Sequence, residues 1–190
     1  MNGEMQAAAV IGLGANLGNA LGMIREALRL LAATPGLRPL AVSRVYLTEP
    51  QGGPKGQNWY HNAAAFLAND LPPRRLLARL MTIEKALGRD RLVHWGPRTI
   101  DLDYLAEGTV IIDEPPELVL PHPRMEERLF VMGPLAEAAG GWRHPVSGRL
   151  ARDTAAALAE TGGQAVERLE DDLTGDFFTD PGPVRRPSNR

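Results

Sequence analysis

At 190 residues, 44% hydrophobic and 23% charged, the chain is long enough to bury one domain core and too apolar for a disordered polypeptide. A net charge of −2 argues against a polyanionic partner, and the absence of cysteine excludes disulfides, thiolate catalysis and Cys-ligated zinc. No signal-like leader and no apolar run of about 18 residues occurs, so neither export nor a membrane span is expected and the cytoplasm is the expected compartment.

Ala7 to Leu13 reads as a short buried strand and Gly14 to Asn19 as a turn. Leu21, Ile24, Leu28 and Leu31 then recur at helical spacing until Thr34-Pro35-Gly36 stops them. Leu40 to Leu47 alternates well enough to be a second strand, and Tyr60 to Leu67 reads as a third. The loop between them, Thr48 to Trp59, is long for a hairpin and therefore a candidate functional segment. Pro72-Pro73 opens a second helix striped by Leu76, Leu77, Leu80, Ile83 and Leu87, ending near Gly88. Arg89 to Arg98 is the next loop, Thr99 to Leu105 a fourth strand, and Gly108 to Ile112 a short hairpin partner. Met125 to Ala139 and Ala151 to Glu160 read as helices, and Gln164 to Leu169 as an edge strand. The order β-α-β-β-α-β predicts an α+β, ferredoxin-like sandwich, with an antiparallel sheet covered by two helices on one face and the other face left for ligands. One domain over residues 1–170 is expected, followed by a flexible tail, 171–190, whose only large apolar pair is Phe177-Phe178.

The chemistry concentrates in His94-Trp95-Gly96-Pro97-Arg98-Thr99-Ile100-Asp101-Leu102-Asp103. On a strand, Asp101 and Asp103 share one face while Ile100, Leu102 and Tyr104 share the other. Paired carboxylates repel unless they share a proton or meet a cation, and hard oxygen donors suit Mg²⁺ with substrate phosphates and water completing its shell. An ordinary solvated pair is the alternative. Glu84, Arg89, Arg91 and Arg98 bracket the preceding loop, where converging arginines suit phosphates, and only Lys55 and Lys85 among 21 basic residues are lysine. A helix C-terminus decorated with cations is the plainer account of Arg89 and Arg91. Trp95 beside Gly96-Pro97 fits a lid or stacking role as well as packing. His122, between two prolines, and Arg128 are weaker candidates alone. Tyr60, Asn62 and Phe130 together supply the two aromatics and the amide that a flat heterocycle needs. Gly12 to Gly18 is not a dinucleotide fingerprint, because its third glycine comes one position late and the following strands look antiparallel; a tight strand-to-helix turn accounts for these glycines.

The segments GLGANLGN, TEPQGGPKGQNWYHNA, IEKALGRDR, HWGPRTIDLDYL and LPHPRMEERLFVMGPLAE, in that order, resemble the 6-hydroxymethyl-7,8-dihydropterin pyrophosphokinase family of folate biosynthesis. The resemblance implies an enzyme in which the pterin hydroxymethyl oxygen attacks the β-phosphorus of ATP and AMP leaves, with two Mg²⁺ ions assisting. By that resemblance Asp101 and Asp103 hold the metals, Arg89 and Arg98 are catalytic arginines, and Trp95 shares their loop. Tyr60 and Phe130 stack the pterin, and Asn62 reads its edge with backbone from Thr48 to Gly52. Glu84, Arg91, Arg98, His122 and Arg128 serve the nucleotide. ATP and the pterin are then the partners of a monomer, without nucleic acid or membrane. Glu117 and Glu126 depart from the pattern, standing where relatives carry arginine and histidine. Two other classes compete: a two-metal nucleotidyl transferase or cyclase on the same sheet, which the WGPR approach and the Tyr60/Asn62/Phe130 set oppose, and an RNA-binding ferredoxin-like domain, which the acids on the strand oppose.

Overall fold

A computed structural model describes residues 3–51, 56–89 and 97–178. A short helix α1 (Gly3–Ala7) precedes strand β1 (Ala9–Ala15), and Asn19 caps helix α2 (Ala20–Ala32) by accepting a hydrogen bond from the Gly22 N–H at 3.1 Å. Strands β2 (Leu37–Val42) and β3 (Tyr46–Thr48) follow, then β4 (Tyr60–Asn69), α3 (Pro73–Ala86) and β5 (Asp101–Glu107). A separate hairpin, β6 (Ile112–Glu114) with β7 (Leu118–Leu120), leads to α4 (Leu129–Ala139), α5 (Ala151–Glu160), β8 (Val166–Arg168) and α6 (Thr174–Phe178). The main sheet runs β5-β1-β4-β3-β8 with β2 also on β4, every pairing antiparallel. This is the expected ferredoxin-like α+β arrangement, with β4 at its centre and the second strand broken in two.

The break has a local cause. The Ser43 Oγ accepts the Ala64 N–H at 2.9 Å and donates to the Arg44 carbonyl at 2.7 Å, so a side chain takes a place in the ladder where backbone would otherwise pair.

Alternation along β1 and β4 divides the interior into two layers. Ile11, Leu13, Ala63, Ala65 and Leu67 point to one side, where the α2 stripe of Ile24, Ala27, Leu28 and Leu31 and the α3 stripe of Leu76, Leu80 and Ile83 bury them. Val10, Ala64, Phe66 and Leu105 point to the other, under Val131, Met132 and Leu135 of α4 and the buried Trp142. The second face is therefore not left open as expected: α4 and its neighbours cover one end, and a cleft occupies the rest.

Four sequence expectations are revised. β1 continues to Ala15, so Gly12 and Gly14 lie within a strand and only Gly18, at φ 62°, supplies the turn. Gly108, at φ 51°, is a turn residue ahead of the β6–β7 hairpin rather than part of a strand. The helix expected from Met125 is a 3₁₀ turn over Met125–Glu127, then an extended Arg128 (φ −120°, ψ 110°), then α4. The segment after residue 170 contributes Leu173 and Phe177 to the core beside α2, and Arg25 of α2 reaches Asp171 and Asp176 at 3.6 and 3.4 Å. No helix among the described residues is long and apolar enough to cross a membrane.

Candidate active site

The register of three neighbouring strands, β4, β1 and the edge strand β5, determines what the cleft contains. Gly14 pairs with Asn62 on one side and Asp101 on the other, while Gly12 pairs with Ala64 and Asp103. Residues opposite one another in neighbouring strands present side chains to the same face. Asn62, Asp101 and Asp103 therefore all rise from the face that α4 covers at its other end. Two strand spacings separate Asn62 from Asp101, about 10 Å, and between them the floor is bare glycine backbone. A Cβ on Gly14 would stand 3.0 Å from the Asn62 Oδ1, so the amide needs that glycine to keep its position. The resulting cleft, about 320 Å³, is lined by Gly12, Gly14, Thr48, Tyr60, Asn62, Arg98, Asp101, Asp103, His122, Arg128 and Phe130, among others.

The apolar end is built from two elements. Tyr60 begins β4, and Phe130 sits in the first turn of α4 because Arg128 breaks the preceding 3₁₀ turn. The Arg128 guanidinium lies 5.5 Å from the Phe130 ring centroid, a cation–π contact that holds the aromatic at the wall. Asn62, 7% exposed, donates through Nδ2 to the hydroxyl of buried Thr48 at 2.8 Å, which fixes the amide so that Oδ1 is its remaining acceptor.

The charged end is a chain of ions. Glu84 is buried on α3, accepts the Leu102 N–H at 2.8 Å and pairs with Arg89. Arg89 pairs in turn with Asp101, which also pairs with Arg98. Glu84 and Arg89 thus stand behind Asp101 and do not line the cleft, whereas Arg98 does. Burial, and then the neighbouring Arg89 cation, pull the Arg98 guanidinium below its ordinary pKa; burial does the same to Arg128. Guanidinium stays protonated through such shifts. His122 accepts the Arg124 N–H on Nδ1 at 3.2 Å, and burial holds its pKa down against the pull of Asp103. The neutral ring with Nδ1 as acceptor carries its proton on Nε2, a donor.

Asp101 and Asp103 fit a hard divalent cation. Among the described residues no group of three or more His, Asp, Glu or Cys gathers as a complete metal cage. Two carboxylates with phosphate and water oxygens for the rest is the habit of Mg²⁺.

Gly52, Arg91 and Trp95, also expected at the site, lie outside the described residues. Glu126, one of the two departures noted above, accepts from the Ser147 hydroxyl at 2.8 Å and lies 3.6 Å from His144, away from the cleft. The structure adds residues that sequence reasoning missed. Gln164 lines the cleft, accepts the Phe130 N–H at 3.2 Å and donates to the Glu49 carbonyl at 3.1 Å. Gly12 and Gly14 form the floor, and reading β1 two residues further would have placed them there. Asn16 is 3% exposed and tied to Arg98, with a buried polar side chain beside a turn as its only signal.

Comparison with known proteins gives the family of the chain. The family model for 7,8-dihydro-6-hydroxymethylpterin-pyrophosphokinase (HPPK) matches residues 10–140. A Methylorubrum extorquens protein described as 2-amino-4-hydroxy-6-hydroxymethyldihydropteridine pyrophosphokinase is 44% identical over 163 residues, 85% of this chain and 98% of that protein. A Bacillus subtilis protein of the same description is 43% identical over 129 residues, 68% of this chain and 76% of the relative. Among solved structures, a Plasmodium falciparum HPPK-DHPS chain superposes with a TM-score of 0.64 at 15% identity, covering 80% of this chain. This chain spans only 44% of that longer one, and the likeness concerns the fold.

Proposed function

We propose that this chain, which belongs to the 7,8-dihydro-6-hydroxymethylpterin-pyrophosphokinase family and transfers pyrophosphate from ATP to the hydroxymethyl group of 6-hydroxymethyl-7,8-dihydropterin, does so as a Mg²⁺-dependent monomer in the cleft between Asn62 and Asp101. The observation that carries the reading is the pairing of Gly14 with both residues. It puts Asn62 and Asp101 on one face, about 10 Å apart, with nothing but backbone between them, which supports reading the first as the heterocycle end and the second as the phosphate end.

Tyr60 and Phe130 bound the pterin plane and exclude water from it, while the Asn62 Oδ1 accepts from a ring-edge N–H. Asp101 and Asp103 are the residues that would hold two Mg²⁺ ions. When bound, the ions neutralise the triphosphate and align it with the attacking oxygen. Arg98 and, behind it, Arg89 place positive charge where the transferring group gains negative charge, and the Glu84 carboxylate keeps Arg89 aimed. The His122 Nε2–H and the Arg128 guanidinium donate to nucleotide phosphate oxygens. With the β-phosphorus attacked, the products are the pterin diphosphate and AMP.

Phosphorus NMR of the purified chain with ATP and 6-hydroxymethyl-7,8-dihydropterin, with and without Mg²⁺, tests the proposal. Equal amounts of AMP and pterin diphosphate are expected, formed only when Mg²⁺ is present. ADP as the stoichiometric nucleotide product, or full turnover in a chelator, would refute it.

A further inference from the structure

The Asn16 side chain hydrogen-bonds Tyr60 at the apolar end of the cleft and touches the segment that carries the charged end. Its Oδ1 accepts the Arg98 N–H at 2.8 Å, and its own N–H donates to the Arg98 carbonyl at 3.0 Å, so the peptide groups of the two residues are locked in a ring. The Leu17 N–H adds a second donor to that carbonyl at 3.2 Å. On its other side the Asn16 Nδ2 donates to the Asn58 carbonyl at 3.1 Å, and the Asn58 Nδ2 returns to the Asn16 carbonyl at 3.4 Å. Asn58 stands two residues before Tyr60, and Arg98 three before Asp101. Both polar atoms of the Asn16 amide are thus engaged by backbone of other segments, the amide also bonds the Tyr60 side chain, and at 3% exposure water has little access to replace those bonds.

From this geometry we infer that Asn16 is a positioning residue for the transfer step, holding the Arg98 backbone against the end of β1 so that its guanidinium meets the transferring phosphoryl group. The inference rests on the reading of Arg98 as a catalytic cation. Arg98 stands three residues before β5 begins at Asp101, so the ladder does not fix its backbone. The clamp from Asn16 does. A misplacement of roughly 1 Å at a catalytic group is enough to cost about 10²-fold in rate. Losing the clamp should therefore lower kcat far more than it raises either KM, because the charge that Arg98 meets is greatest in the transition state.

A double-mutant cycle of Asn16→Ala and Arg98→Ala, read in kcat and in both KM values, tests this. Asn16→Ala alone is expected to lower kcat on the order of 10- to 100-fold. In the Arg98→Ala background the same substitution should cost almost nothing further, since a clamp without its guanidinium has nothing left to aim. Independent, multiplying losses would overturn the inference and leave Asn16 a general structural residue. An Arg98→Ala enzyme with undiminished kcat would instead overturn the reading of Arg98 itself, which keeps the two failures apart. Should Asn16→Ala fail to fold, Asn16→Leu, of similar shape but without the acceptor for the Arg98 N–H, carries the same cycle.

Discussion

Asn62→Ala separates binding from folding. One N–H of the Asn62 Nδ2 is engaged by the Thr48 hydroxyl, so the ligand-facing loss is at least one acceptor, Oδ1, above the Gly14 floor. A pterin N–H left unpaired in a closed site costs about 1–3 kcal/mol, which is a loss of roughly 5- to 150-fold in affinity. The Thr48 hydroxyl, 1% exposed, also loses its partner, but it does so with or without ligand. That second cost cancels from binding and appears in stability, about 1 kcal/mol or some 2–4 °C in Tm for a chain of this size. Asn62→Asp keeps an oxygen in place, and the Thr48 hydroxyl can turn to donate to it, so pterin binding should survive that change. Calorimetry with the pterin and separately with an ATP analogue, beside a melting curve, measures all three quantities. Intact pterin affinity in Asn62→Ala, or an equal fall in nucleotide affinity, would refute the assignment.

The metal ligands, the C-terminal packing, the pterin wall and the histidines each give a further test. Asp103→Asn should abolish nearly all Mg²⁺-dependent turnover while the protein stays folded, whereas Asp101→Asn should also melt lower because it gives up ion pairs with Arg89 and Arg98; near-native turnover in both would remove the pair from the metal site. Phe177→Ala empties a fully buried ring site and should cost about 3–5 kcal/mol, on the order of 10 °C in Tm by calorimetry, where an unchanged Tm would show that α6 is not part of the core. Gln164→Ala should weaken pterin binding but spare ATP, since both its hydrogen bonds hold the pterin end; isothermal titration with each ligand decides it. His61, His122 and His144 all have folded pKa values lowered by burial, so their neutral forms contribute stability that is complete above the ordinary value near 6.5. As pH falls below that value the unfolded chain takes up protons the folded one resists, and Tm should drop between pH 7 and 5. His144→Asn should flatten that slope, and a slope unchanged by the substitution would clear His144 of the effect.

Periodicity carried the sequence reading a long way. The α2 and α3 stripes and the shared face of Asp101 and Asp103 all follow from side-chain spacing along one element, and the structure places them accordingly. What escaped depends on pairing between elements. Gly12 and Gly14 look like turn residues because glycine is common in turns; that they floor a cleft follows only from their register against Asn62, Ala64, Asp101 and Asp103. Gln164 reaches Phe130 and Glu49 from residues far apart in sequence, which no local pattern encodes. The break at Arg128 was hidden because Met125 to Glu127 has good helix formers, and the extended Arg128 interrupts a stretch whose composition favours continuing. Phe177 sat in a segment too polar on average to suggest a core, where two apolar side chains, Leu173 and Phe177, were enough to dock it.

The docking of α6 against α2 also bears on how the chain is made. The stripe of α2 is complete once residue 32 has been synthesised, but its cover from Leu173 and Phe177 arrives more than a hundred residues later. At about 5–20 residues per second, translation leaves that interval open for roughly 7–30 s. Throughout it the ribosome-bound nascent chain carries an apolar helix face that its own later residues have yet to close. Pausing near the end of the message would lengthen that exposure, and a release of the chain before Phe177 would make it permanent.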